Sequence, residues 1–126
     1  DIRKGELLVS LAGILANLGI AIICAVVYHI LSTITSLPFI EQLLLFGAQI
    51  NLLLAVFNLL PIPPLDGSKV LMSQLPYNAA REFAKLEPMG PFILLALWFI
   101  PIGNSSLISF ILGTVTNFLS SLLMLP

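Results

Sequence analysis

After a short polar leader containing Arg3, Lys4 and Glu6, no Asp, Glu, Lys or Arg occurs until Glu41. An uncharged apolar run of this kind predicts a membrane helix, placed at residues 7–31, long enough to cross about 30 Å of hydrocarbon with tilt. Residues 32–42, with Pro38 and Glu41, read as a connection free of Lys and Arg. A second apolar run at residues 43–60 predicts a second span. Its Asn51 and Asn58 fall on nearly the same helical face and imply a polar seam. Pro61, Pro63 and Pro64 follow, removing backbone donors and disfavouring the α conformation, so the helix must stop there.

Beyond the prolines, residues 67–74 predict a short helix. Residues 76–87 are the most hydrophilic stretch, with Arg81, Glu82, Lys85 and Glu87, and predict a connection carrying an interfacial helix over residues 79–86. From Pro88 to the end there are no charged side chains, and Pro101-Ile102-Gly103-Asn104 is a turn signal. It divides a short third span at residues 90–100 from a fourth at 105–125. The expected fold is therefore all-α: a polytopic membrane helical bundle of about four transmembrane helices, with a proline-broken segment after the second. No repeat or linker is visible, so residues 1–126 are expected to form a single membrane domain.

Composition agrees with that reading. The chain is 59% hydrophobic and 9% charged, with mean hydropathy +1.11, whereas a soluble domain carries about a quarter charged residues. With five Lys and Arg and a net charge of −1, no basic face exists to neutralise phosphates, which excludes nucleic acid as a partner. Cys24 is the only cysteine, so there is no internal disulfide and no Cys-rich zinc motif. The first apolar run is too long for a signal-peptide core, and no small-residue cleavage site follows it. Arg3 and Lys4 precede the first span, and Lys69, Arg81 and Lys85 lie between the second and third. The positive-inside rule then expects a multi-pass protein of the cell membrane with Asp66 towards the cytoplasmic side.

Asp66 is the residue that needs an explanation. A carboxylate and bare backbone at or near membrane depth are both costly unless buried in protein or lining a wet cavity. Residues 58–67 therefore read as a site. The plainer alternative is that Pro64-Leu65-Asp66-Gly67 is an ordinary turn, with Asp66 capping a short helix. Against it, the turn comes straight off a span, Asn58 precedes it closely, and the proline run stiffens the path between them.

The segment Asn58-Leu59-Leu60-Pro61-Ile62-Pro63-Pro64-Leu65-Asp66-Gly67-Ser68 resembles the Asn-Pro-Asp-Gly signature of the site-2 protease family of intramembrane zinc metalloproteases. Residues 8–18 resemble that family's preceding helix, Ser-Leu-Ala-Gly-Pro-Leu-Ala-Asn, with Ile14 standing where proline is usual. Leu86-Glu87-Pro88-Met89-Gly90 resembles the opening of its next span. The resemblance implies a zinc cofactor, Zn2+, with Asp66 as one metal ligand. The other two ligands and the general base come from a His-Glu-x-x-His helix upstream. It further implies that Asn58 serves catalysis by hydrogen-bonding the substrate backbone or the developing oxyanion. Asn17 would help line the substrate cleft, and the extended segment at Pro61 and Pro63 would present backbone groups to an unwound substrate helix.

No His-Glu-x-x-His occurs in these residues. His29, the only histidine, lies far from Asp66 along the chain and is expected to be interfacial or locally hydrogen-bonded. The expectation is a C-terminal protease segment, inactive by itself, whose partners are the membrane, a membrane-protein substrate helix and N-terminal helices of the same protein. The first residue, Asp1 rather than Met, is in keeping with it. The competing expectation is a non-catalytic membrane protein that binds a partner helix through the small residues Gly13 and Gly19. A transporter with its binding point at the broken helix ranks behind both, since no matching broken helix is found. Asn51 is expected to bond between helices, and Trp98 and Phe99 to sit in an aromatic belt.

Overall fold

The computed structural model describes residues 2–126. In chain order it contains α1 (Ile2–Ile34), α2 (Pro38–Asn58), α3 (Asp66–Gln74), α4 (Tyr77–Ala84), a 3-10 turn (Glu87–Met89), α5 (Gly90–Trp98), β1 (Pro101–Ile102), β2 (Ser105–Ser106) and α6 (Leu107–Leu122).

Helices α1 and α2 form a long hairpin joined by residues 35–37. Pro38 starts α2 because its fixed φ suits the first helical position and its missing N–H is not needed there. Glu41 reaches back and accepts from the Leu37 N–H at 3.1 Å, closing the entry. As a result α2 begins at Pro38, five residues before the expected start at residue 43.

The packing seam is built from small residues. Helix α1 buries Ser10, Ile14, Ala21 and Ala25, and α2 buries Ala48, Leu52, Ala55 and Val56. Ala21, Ala48 and Ala55 are completely covered, which lets backbones come close. Gly47 faces Cys24 across the hairpin, where an added Cβ would sit 3.1 Å from the sulfur. Of the expected packing positions Gly13 and Gly19, Gly19 faces open space, and Gly13 meets the Asp66 carboxylate rather than another helix's backbone. Alanines therefore take the packing role that the sequence reading gave to glycines.

The remaining elements close onto this hairpin. Helix α3 packs beside the start of α1, where the Arg3 guanidinium donates to the carbonyls of Met72 (3.2 Å) and Leu75 (2.8 Å) at the α3 C-terminus. Helix α6 packs on α2 around Val56, Ile108 and Leu112, with Phe57, Leu60, Leu97 and Leu119 against them. At the far end of α1 the His29 Nε2–H donates to the Leu123 carbonyl at 2.8 Å, so this histidine is tied to the C-terminal tail rather than bonded locally.

The fold is mostly helical, and two helices are long and apolar enough to cross a membrane. Only 17% of the most apolar window of α1 and 22% of that of α2 are buried inside the protein, unlike the core helices of a soluble domain. Side chains such as Leu8, Val9, Ile23 and Phe46 are left facing outward. Helix α5, with 9 residues, and α6, with 16, fall short of the roughly twenty that a full crossing needs.

Three further expectations are corrected. The turn after α5 is an antiparallel hairpin pairing Pro101 with Ser106 and Ile102 with Ser105, so the fold is not purely α. Gly103 takes a left-handed φ of 59°, which the tight reversal requires. The interfacial helix lies at Tyr77–Ala84, directly after Pro76. Asn51 and Asn58 each donate to a carbonyl of their own helix, Gly47 at 2.8 Å and Leu54 at 2.9 Å, rather than across a seam.

A cleft of about 370 Å³ between α2 and α6 is lined in part by Gln49, Thr116, Asn117 and Ser120. The Thr116 hydroxyl is buried there without a hydrogen-bond partner among the described residues. An orphaned hydroxyl is destabilising, and valine has nearly its shape. Thr116→Val is therefore expected to stabilise the fold by about 1 kcal/mol, read as a higher midpoint of thermal unfolding in detergent.

Candidate functional site

The site is assembled by the chain reversal between α2 and α3. Leu59 and Leu60 finish α2 with bonds back to Ala55, Val56 and Phe57. The proline stretch then offers few donors of its own, and its turn is closed by the Leu65 N–H donating to the Ile62 carbonyl at 2.9 Å. The Leu65 carbonyl in turn accepts from Ser68 twice, from its N–H at 3.0 Å and its hydroxyl at 2.7 Å. Ser68 is completely buried.

Two glycines hold this loop. A Cβ on Gly67 would collide with the Leu59 carbonyl, and one on Gly90 with the Pro63 carbonyl. Only glycine fits at these approaches, where backbone packs on backbone. The loop is thereby pressed between the starts of α3 and α5, and Asp66, the first residue of α3, is placed by it.

The Asp66 carboxylate faces α1. A Cβ on Gly13 would sit 3.7 Å from Asp66 Oδ2, ordinary contact distance, so the carboxylate lies close against this stretch of α1. Asn17 lies one turn further along the same face of α1 and is half-buried. Asp66 itself is half-buried and has no hydrogen bond or ion pair among the described residues. Lys69, three residues on, pairs with Glu87 at 3.9 Å instead.

The structure thus brings the Gly13–Asn17 segment and Asp66 together. It places the other residues singled out in the sequence less directly. Asn58, at the end of α2, uses one amide N–H on Leu54 and retains a second. Pro61 is exposed, whereas Pro63 is buried with its carbonyl packed on Gly90. What sequence reasoning missed is the spatial role of Gly67 and Gly90, although both stand inside the quoted motifs.

Among the described residues no three of His, Cys, Asp and Glu lie together in a way that could hold a metal ion. Asp66 alone is not a zinc site, and the described residues by themselves do not fit one.

With this geometry in place, comparison with known proteins defines the class. The sequence profile of peptidase family M50 matches residues 34–100, and the chain belongs to that family. The match agrees with the resemblance to site-2 proteases. The chain is 32% identical over 108 residues to YwhC of Bacillus subtilis, a protein named as a candidate zinc metalloprotease, covering 81% of this chain and 49% of that one. It is 44% identical over 63 residues to another candidate zinc metalloprotease, from Methanocaldococcus jannaschii, covering 50% of this chain and 31% of that one. The chain therefore spans about half the length of the first relative and a third of the second. No solved structure matches.

The loop clamp gives a direct test. Gly67→Ala and Gly90→Ala are each expected to destabilise the protein by at least about 1–3 kcal/mol, because backbone must shift to admit the methyl group. Gly19→Ala, in open helical space, is expected to stabilise it by about 0.5–1 kcal/mol. Thermal unfolding of the three variants in one detergent checks the contrast.

Proposed function

We propose that these residues form the C-terminal part of the catalytic core of an intramembrane zinc peptidase, which hydrolyses peptide bonds in membrane-embedded segments of its substrates. The observation that carries the reading is the placement of Asp66: a carboxylate at a helix start, without a hydrogen-bond or ion-pair partner among the described residues and lying against Gly13 of α1, in a chain of family M50. Asp66 is the one metal ligand supplied here. The remaining ligands and the general base come from a His-Glu-x-x-His helix outside these 126 residues, in keeping with the half-length match to YwhC.

Within that reading Asn58 offers its second amide N–H to the substrate backbone, and Asn17 lines the cleft beside Asp66. Pro61 lies on the exposed side of the loop, where an extended substrate strand can run. Pro63 acts from within, by fixing the loop against Gly90. The hairpin α1–α2 crosses the bilayer, and α6 with its C-terminal tail completes a polytopic bundle by tilting or local thinning. The positions of Arg3, Lys4, Lys69, Arg81 and Lys85 support an orientation with the Asp66 end of the bundle towards the cytoplasmic face.

The non-catalytic reading keeps one observation in its favour, the open space at Gly5 and Gly19 on α1. The same open face suits the helix that brings the other ligands, so it does not separate the two.

The test uses the protein expressed together with its preceding coding sequence. Purified protein is expected to hold about one zinc per chain by elemental analysis, and Asp66→Ala to lower that occupancy at least tenfold while the fold persists. Undiminished zinc in Asp66→Ala would remove Asp66 from the metal site.

A further inference from the structure

A second polar feature lies away from Asp66, at the end of the hairpin where α1 begins. A cleft of about 290 Å³ is formed there by the first turns of α1 together with α3, α4 and the following 3-10 turn. Three of the chain's five basic residues line it, Arg3, Lys69 and Arg81, with Glu6, Glu87 and Tyr77.

The charges specify what fits. Among the described residues, three cations line the cleft with two carboxylates. Lys69 is engaged with Glu87 at 3.9 Å, a long and partly exposed pair. Arg3 is directed to the α3 carbonyls. Arg81 is exposed and makes no hydrogen bond or ion pair among the described residues. A guanidinium held at the rim of a concave site, with a phenol nearby, is suited to a phosphate oxygen pair.

The position supplies the source. Arg3 stands in the first turn of a helix long enough to cross a bilayer, so the cleft opens at headgroup level when α1 is embedded. The exposed Tyr77 ring sits where aromatic side chains favour the interface.

We infer that the Arg3–Lys69–Arg81 cleft binds the phosphodiester headgroup of an anionic lipid and so seats α3 and α4, which follow directly from Asp66, on the membrane surface. The inference rests on the proposed membrane embedding of α1 and α2, but not on zinc or on proteolysis.

The experiment measures lipid retention by native mass spectrometry on the protein released from nanodiscs containing phosphatidylglycerol or phosphatidylcholine. Flotation with vesicles of each composition reports embedding separately. Phosphatidylglycerol is expected to be retained preferentially, with Arg81→Ala weakening retention about fivefold and Arg81→Lys restoring it only in part. Lys85→Ala, an exposed cation paired with Glu82 outside the cleft, is expected to leave retention unchanged. Equal loss in Arg81→Ala and Lys85→Ala would reduce the effect to surface charge and overturn the site. Displacement of the lipid by millimolar inorganic phosphate would make it a free-phosphate site and overturn the lipid assignment. Protein that floats with both vesicles yet retains neither lipid overturns the headgroup site alone. Protein that floats with neither overturns the embedding and this site with it.

Discussion

The structure depends on two contacts between backbone and backbone, the Leu59 carbonyl on Gly67 and the Pro63 carbonyl on Gly90. A proline-rich reversal has few N–H groups with which to tie itself down, so it cannot be held by a hydrogen-bonded ladder. It is held by close packing instead, and close packing of main chain requires that side chains be absent at the contact. The consequences run in both directions along the chain. Gly67 fixes where α3 starts, and with it the carboxylate of Asp66 one residue earlier. Gly90 fixes where α5 starts, and the chain then returns through the hairpin so that Ile108 and Leu112 of α6 close on Val56 of α2. The loop is therefore the joint between the long hairpin and everything after it.

That joint explains which parts of the fold were legible in the sequence. The existence of α1 and α2 follows from long uncharged runs, a signal carried by many residues at once. Their boundaries depend on single residues, which is why Pro38 started α2 earlier than hydropathy suggested. The hairpin Pro101–Ser106 was read only as a turn, since two-residue strands are too short to show alternation. Small residues in α1 signalled close packing, but the pattern cannot say which small face meets which neighbour. Ala21 and Ala25 took α2, while Gly13 was left for Asp66.

The candidate site was legible as residue types and not as geometry. The motif around Asn58 and Asp66 and the motif around Gly13 and Asn17 were each recognisable, yet that one faces the other is a tertiary fact. The amide groups show the limit clearly. Asn51 and Asn58 share a helical face as the spacing requires, but each satisfies an N–H on the carbonyl four residues back, a local bond that periodicity does not reveal.

The arrangement of charge around α3 bears on why Asp66 is there at all. Lys69 stands three residues beyond Asp66, a spacing at which a helical carboxylate and ammonium readily meet. In the structure Lys69 turns to Glu87 instead, and the Asp66 carboxylate is left without a partner among the described residues, beside the uncharged face of Gly13. A residue kept only to cap α3 would be expected to accept a backbone N–H of its first turn, as Ser106 does from Ser109 in α6. Asp66 makes no such bond, and the α3 N-cap, Leu65, has no side-chain capping bond either. Helix capping therefore does not account for it, and neither does ion pairing among the described residues. A half-buried negative charge between helices of this hydropathy is costly when left uncompensated. Under the proposed function, a cation shared with ligands on another helix would supply that compensation.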